Sequence, residues 1–93
     1  SGRFTTLPLL AEGRTLRLNV QTRHAGHVLV EVVDRQGNPL PGRSFDDADR
    51  FTGDSLDHIV TWKGQSDIGS KPDQPVLLRF QLRCAKLFAF EIA

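Results

Sequence analysis

Apolar and polar residues alternate along most of this chain, which is the pattern of β-strands that bury one face. The clearest stretch runs from Pro75 to Arg83, where every second residue from Val76 to Leu82 is apolar and is predicted to face inward. The alternate residues are predicted to face solvent, and they are Leu77, Arg79, Gln81 and Arg83. This segment therefore predicts a strand with one buried and one solvated face.

The same alternation marks further strands, which are shorter or less regular. They are predicted at Phe4 to Leu10, Thr15 to Thr22, His27 to Val33, His58 to Trp62 and Lys86 to Ile92. In the last of these, Phe88, Phe90 and Ile92 are assigned to the inward face. Turn-forming residues separate the strands at Ala11–Gly13, His24–Gly26 and Asp34–Asn38. No stretch shows the apolar period of a helix.

Short strands separated by turns, with no helical pattern, are typical of an all-β antiparallel fold. We predict a single domain over residues 1–93, a jelly-roll-like β-sandwich of six to eight strands. The chain has no methionine, and Ser1–Gly2 is typical of a cloning remnant, so we expect a piece excised from a longer protein.

Charge and composition exclude several classes of partner. Lys and Arg total 12 against 11 Asp and Glu, a formal net charge of +1, whereas nucleic-acid-binding domains usually carry a clear positive excess. No apolar run approaches the ~18 residues of a membrane-spanning helix. We therefore expect neither a nucleic-acid nor a membrane partner. The single cysteine, Cys84, excludes an internal disulfide and is interpreted as a buried structural thiol.

Acidic residues concentrate in the segment Asp46–Asp57, which holds five aspartates and one arginine. Calcium prefers several oxygen ligands, which aspartates on a turning backbone can supply. Asp47, Asp49 and Asp54 are therefore candidate calcium ligands, although their spacing does not match an EF-hand. The alternative is that these aspartates cap turns and pair with nearby basic side chains. No other cofactor is expected.

The lone tryptophan lies close in sequence to polar residues that could bind a sugar. Asp54, His58, Trp62 and Asp67 are the candidate ligand-binding residues, and a core position for Trp62 is the alternative. No Ser-His-Asp or Cys-His arrangement is evident, and so small a domain rarely offers a cleft with two facing carboxylates. We therefore predict that the chain is not an enzyme.

A protein partner could be contacted by a second set of residues. Phe51, Arg79 and Arg83 are the candidates, because guanidinium groups on the solvated face of a strand can bind carboxylates. The alternative is that this face is only solvated.

Several short sequence motifs follow one another in a fixed order along the chain. They are Phe51–Ser55, His58–Gly64, Ser66–Asp67, Pro75–Arg83 and Ala85–Phe90. In this order they resemble the C-terminal β-sandwich appended to predicted bacterial glycosidases of the five-bladed propeller type, relatives of the β-fructosidases (family 32-like). The resemblance covers about Arg3 to Ile92, with Phe88 where tyrosine is common and Cys84 where a polar residue is common.

The resemblance implies a non-catalytic accessory domain that packs on the catalytic domain of the same polypeptide and could also bind carbohydrate. It implies no catalytic role for this chain, because the catalytic carboxylates of such enzymes lie on the propeller. A second resemblance, over Val28–Gly42, is to Ig-like and carboxypeptidase-regulatory-like domains. The aspartates of Asp46–Asp57 motivate the alternative of a calcium-stabilised extracellular interaction domain, which this resemblance would make Ig-like or carboxypeptidase-regulatory-like. An extracytoplasmic location is favoured.

Overall fold

The computed structural model describes residues 2–6, 8–10, 14–71 and 73–93, with the side chain of His24 left out. Within these ranges the strands are β1 (Gly2–Thr5), β2 (Leu9–Leu10), β3 (Leu16–Val33), β4 (Asp54–Ile59) and β5 (Pro75–Ile92). All pairings between them are antiparallel, which confirms the all-β antiparallel prediction. They form one open sheet, and the described residues show neither a second sheet nor a helix long and apolar enough to cross a membrane.

Two long strands, β3 and β5, form the centre of this sheet. The strand order is β1-β5-β3-β4, and β2 also pairs with β5. Strand β3 continues through His24–Gly26, so the turn predicted there is wrong. The turn predicted at Ala11–Gly13 lies outside the described residues. The predicted strand Phe4–Leu10 is divided into β1 and β2. Strand β4 begins four residues before the predicted strand His58–Trp62 and overlaps it only at His58 and Ile59.

The two long strands bend together at one point. Residues 23–26 of β3 lie opposite the single residue Cys84 of β5. Ala25 and Cys84 have positive φ angles of 61° and 46°, an uncommon conformation for residues that carry a side chain. Extra residues in one strand bend the ladder and increase its twist. Cys84 is exposed at this bend, so its interpretation as a buried thiol is wrong.

The bend wraps the sheet around one core. The first half of β3 pairs with β4 and the end of β5, and its second half pairs with the start of β5, which pairs in turn with β1. Apolar side chains from both halves and from the connecting segments form a single buried cluster. Its members are Leu16, Leu18, Val20, Val28, Val30, Val32, Leu40, Val60, Trp62, Ile68, Val76, Leu78 and Phe80. The predicted inward positions from Val76 to Phe80 are confirmed.

A second irregularity lies at Asn19 of β3. Two residues of β4, Leu56 and Asp57, lie opposite it on one side. On the other side Phe88 of β5 has no partner in the ladder, because Asn19 pairs with Ala89 and the next residue pairs with Leu87. Asn19 is therefore flanked by a β-bulge in each neighbouring strand.

These bulges change which side chains face the core. Successive strand residues point to opposite faces, so one extra residue reverses the alternation. Leu87 packs against the core, whereas Phe88 is 60% exposed, so the prediction of an inward Phe88 is wrong. Phe90 is 38% exposed but its ring centroid lies 5.5 Å from that of Phe80, at the border of the core.

Gly26 is the residue at the bend where the two backbones come closest. A Cβ at this position would lie 2.4 Å from the carbonyl oxygen of Cys84 and 2.8 Å from that of Arg83. Both contacts are shorter than side-chain carbons tolerate, and both involve backbone atoms that cannot rotate away. Only glycine fits here without moving β5 away from β3.

We expect Gly26→Ala to destabilise the domain by about 1–3 kcal/mol, because the added methyl group must displace backbone. Urea denaturation followed by tryptophan fluorescence measures this as a lower midpoint. Gly2→Ala is the matched control, since no atom lies within 4 Å of the added carbon. Equal midpoints for the two variants would contradict the close approach of the strands.

Candidate functional site

The lone tryptophan belongs to the core. Trp62 is 1% exposed, and its indole Nε1 donates a hydrogen bond to the carbonyl oxygen of Val30 at 2.9 Å. The guanidinium carbon of Arg43 lies 5.6 Å from the ring centroid. Stacking on a sugar requires an exposed ring face, which Trp62 lacks in this structure. The structure therefore gives Trp62 a core role in place of the predicted ligand-binding role.

Asp67 holds the buried arginine that covers this tryptophan. Arg43 is 6% exposed and donates to Asp67 twice, from Nε to the carbonyl oxygen and from Nη2 to Oδ1, both at 2.9 Å. Its Nη1 donates to the carbonyl oxygen of Gly42 at 2.9 Å. A buried charge needs such partners. Asp67 thus joins the two segments that flank β4, and sequence reasoning missed Arg43 because no local pattern marks it.

The other two candidate ligand-binding residues lie on the edge strand β4. The Oδ1 atom of Asp54 accepts a hydrogen bond from the backbone N–H of Thr22 at 3.3 Å. The His58 ring stacks on Phe51, with ring centroids 3.9 Å apart. Their contacts are therefore separate from the contacts that Trp62 and Asp67 make with Arg43, and these interactions do not join the four candidates into one site.

Two of the three candidate calcium ligands are engaged in turns. Asp47 accepts a hydrogen bond from the Ser44 hydroxyl at 2.8 Å and forms an ion pair with Lys63 at 3.2 Å. Asp49 accepts a hydrogen bond from the Thr61 hydroxyl at 2.6 Å. These hydrogen bonds, from Ser44 and Thr61 foremost, lower the pKa of Asp47 and of Asp49.

The predicted metal set is not assembled. In residues 2–6, 8–10, 14–71 and 73–93, no three His, Cys, Asp or Glu side chains gather closely enough to hold a metal ion. Asp47 and Asp49 instead make the turn contacts that the alternative interpretation expected, whereas Asp54 accepts a hydrogen bond from Thr22 of the neighbouring strand β3. A carboxylate in such a turn accepts backbone or hydroxyl hydrogen bonds and stabilises the loop.

Arg79, a candidate partner contact, holds a buried carboxylate. Its Nη1 donates to Oε1 of Glu31 at 3.0 Å, and Oε2 of Glu31 accepts from the backbone N–H of Phe45 at 3.1 Å. Glu31 is 6% exposed. The Arg83 side chain is exposed and makes no hydrogen bond or ion pair with another described residue. The sequence contained a signal for Glu31, because Leu29 and Val33 flank it on the same face of β3 and indicate that this face is covered.

An open pocket of about 600 Å³ lies on the face of β1, β3 and β5 that points away from the core. We call it the polar pocket. It is lined mainly by Arg3, Glu31, Phe45, Asp46, Arg50 and Gln81. The strand residues reach it because they alternate with core residues, and the segment after Arg43 forms its opposite wall.

The polar pocket holds charged groups of two kinds. Arg3 is anchored, since its Nη2 donates to Oε1 of Gln81 at 3.2 Å and its guanidinium carbon lies 5.8 Å from the Phe45 ring centroid. Asp46 and Arg50 are exposed and make no hydrogen bond or ion pair with another described residue. The pocket therefore combines fixed and unpaired charges on one concave surface.

An apolar surface lies on the other half of the sheet, at the bulges. Leu56 is 85% exposed and Phe88 60% exposed, on either side of Asn19. Both line a shallow groove of about 300 Å³. We call Asn19, Leu56 and Phe88 the bulge surface. A surface ion pair between Arg17 and Asp57, at 2.6 Å, lies beside it.

Comparison with protein-family models, with curated proteins and with solved structures finds no match to this chain.

Two histidines lose affinity for protons when the chain folds. Burial lowers the pKa of His58, and burial together with Arg50 and Arg83 lowers the pKa of His27. The unfolded chain then binds more protons than the folded one below the ordinary histidine value of about 6.5. Stability therefore falls as the pH drops through this value.

We expect the urea concentration at the unfolding midpoint to decrease as the pH is lowered from about 7 to about 5. The double variant His27→Gln with His58→Gln should flatten this dependence. Asp47→Asn is the control and should keep it, because that carboxylate titrates at lower pH. A wild-type midpoint that is constant or rises on acidification would contradict the assignment.

Proposed function

We propose that this chain is a non-catalytic accessory domain of a glycoside-hydrolase-like protein, and that it packs on the catalytic domain of the same polypeptide through the bulge surface. The observation that carries the proposal is the exposure of Leu56 and Phe88, two large apolar side chains that neighbouring β-bulges direct away from the core. The ordered motifs that resemble such accessory domains supply the identity of the partner.

The chemistry of the bulge surface suits an interface between domains. Interfaces have an apolar centre and a polar rim. Leu56 and Phe88 would form the centre, and the Arg17–Asp57 ion pair lies where the rim would be. Full burial of each apolar side chain contributes roughly 1.5–3 kcal/mol.

The jelly-roll-like sandwich architecture is part of this proposal. It is supported by the bend at Gly26, because the two halves of the sheet bury their apolar faces in one cluster. Segments between the strands add Leu40, Val60 and Ile68 to that cluster.

No catalytic residue is proposed. The most buried carboxylate of the polar pocket, Glu31, has both oxygens engaged by Arg79 and the Phe45 amide. Among the described residues, no contact favours the alternative of a calcium-stabilised interaction domain, since the carboxylates of Asp47 and Asp49 accept hydrogen bonds within turns.

In the full polypeptide we expect Leu56→Asp and Phe88→Asp each to lower the melting temperature of the catalytic domain. The loss of 1.5–3 kcal/mol of apolar burial corresponds to a decrease of several degrees, at roughly 2–4 °C per kcal/mol. Differential scanning calorimetry measures it.

Leu10→Asp is the matched control, because Leu10 is an apolar residue 64% exposed on β2, which pairs only with β5. This variant should leave the melting temperature of the catalytic domain unchanged. In the isolated chain, Leu56→Asp should leave the urea midpoint unchanged. This result would show that the variant affects packing on the catalytic domain and not the folding of this chain. If neither Leu56→Asp nor Phe88→Asp changes the melting temperature of the catalytic domain, the packing role is refuted.

A further inference from the structure

We propose that the polar pocket binds a hydroxylated carboxylate of the size of one acidic sugar residue. This site is distinct from the bulge surface. The pocket lies on the half of the sheet formed by β1, the second half of β3 and the start of β5. The bulge surface lies on the half formed by β4, the first half of β3 and the end of β5. The two sets of lining residues have no member in common, so packing at the bulges would not cover the pocket.

The charges of the pocket favour one anionic group. Four charged side chains line it, and the charge of Glu31 is already matched by Arg79. Of the remaining three charged side chains, Arg3 and Arg50 are positive and Asp46 is negative, which leaves an excess of one positive charge. Neither arginine has an acidic partner among the described residues. A guanidinium group binds a carboxylate through two parallel hydrogen bonds, which suits an anion placed between these side chains.

The remaining polar groups favour hydroxyls. The Gln81 side-chain oxygen accepts from Arg3, which leaves its amide N–H groups as donors. Asp46 provides an acceptor with no other partner in the described part of the chain. A sugar hydroxyl both donates and accepts, so it can satisfy a donor and an acceptor on opposite walls. A simple carboxylate would use the arginines alone.

The size of the pocket agrees with a ligand of this class. Small-molecule sites occupy roughly 300–1,000 Å³ and combine a few polar groups with apolar lining. The polar pocket has about 600 Å³ and includes Leu29, Phe45 and Ala48 among its lining residues. An inorganic anion would fill only a small part of it.

The test is a nuclear magnetic resonance titration of the ¹⁵N-labelled chain with glucuronate. Glucose supplies the hydroxyls without the charge, and acetate supplies the charge without the hydroxyls. We expect glucuronate to shift the amide resonances of Leu29, Phe45 and Gln81. We expect glucose and acetate each to bind at least about tenfold more weakly, which corresponds to about 1.4 kcal/mol.

Arg50→Gln should weaken glucuronate binding at least about tenfold, because it removes one of two guanidinium groups. Arg50 is exposed, so the variant should fold. Arg35→Gln is the matched control, since Arg35 is an exposed arginine in the turn after β3 and should change the affinity less than about twofold.

Three results would overturn the proposal. The first is that glucuronate shifts no pocket resonance. The second is that acetate or glucose binds as tightly as glucuronate, which would remove the need for hydroxyls or for charge. The third is that a glutamate-rich peptide binds the pocket more tightly than glucuronate, which would assign the site to a protein carboxylate. None of these results alters the test of the bulge surface, which depends on Leu56 and Phe88.

Discussion

The close approach of β3 and β5 at Gly26 is the constraint on which the rest of the structure depends. A single sheet of this length has two large faces, and a flat sheet would leave both in water. At Gly26 the missing side chain lets the backbone of β5 pass close to that of β3, and residues 23–26 accommodate the excess length of β3 opposite Cys84. The sheet therefore bends, and apolar side chains from both halves meet in one core.

The bend also divides the outer surface into two regions with different chemistry. On one half, Glu31 of β3 and Gln81 of β5 alternate with core positions and line the polar pocket. Arg3 of β1, together with Asp46 and Arg50 of the segment after Arg43, completes its charged lining. On the other half, the bulges at Asn19 expose Leu56 and Phe88. The bulge surface follows from the strand irregularities, and the polar pocket from the strand register and the segment after Arg43, so the two surfaces are separate.

The regular parts of the fold could be predicted from the sequence. Val76, Leu78 and Phe80 alternate with polar residues, and burial follows directly from that period. The irregular parts could not be predicted in the same way. A glycine after His24-Ala25 indicates a turn or a bulge equally well, and only the pairing with β5 decides between them. Phe88 shows the same limit, because the residue that is left unpaired depends on the register of a strand far away in sequence.

The candidate site was less predictable than the fold. Trp62 lies near acidic residues in sequence, but burial depends on the segments that pack above it, and Arg43 of one such segment covers its ring. Asp67 was predicted as a ligand-binding residue, and in the structure its carboxylate accepts a hydrogen bond from that arginine. Glu31 and Arg43 are buried charges whose partners come from distant strands or loops. The apolar neighbours of Glu31 on its face of β3 indicate that it is covered, but they do not identify its partner, and no local spacing marks Arg43.

Hydrogen–deuterium exchange tests the central claim, that the bulges direct an apolar surface toward a neighbouring domain. Amide exchange would be compared between the isolated chain and the full polypeptide. The account predicts slower exchange in the full polypeptide at β4 and at residues 86–90, with unchanged rates at the turn that contains Arg35. Equal rates at β4 and residues 86–90 in both forms would contradict it.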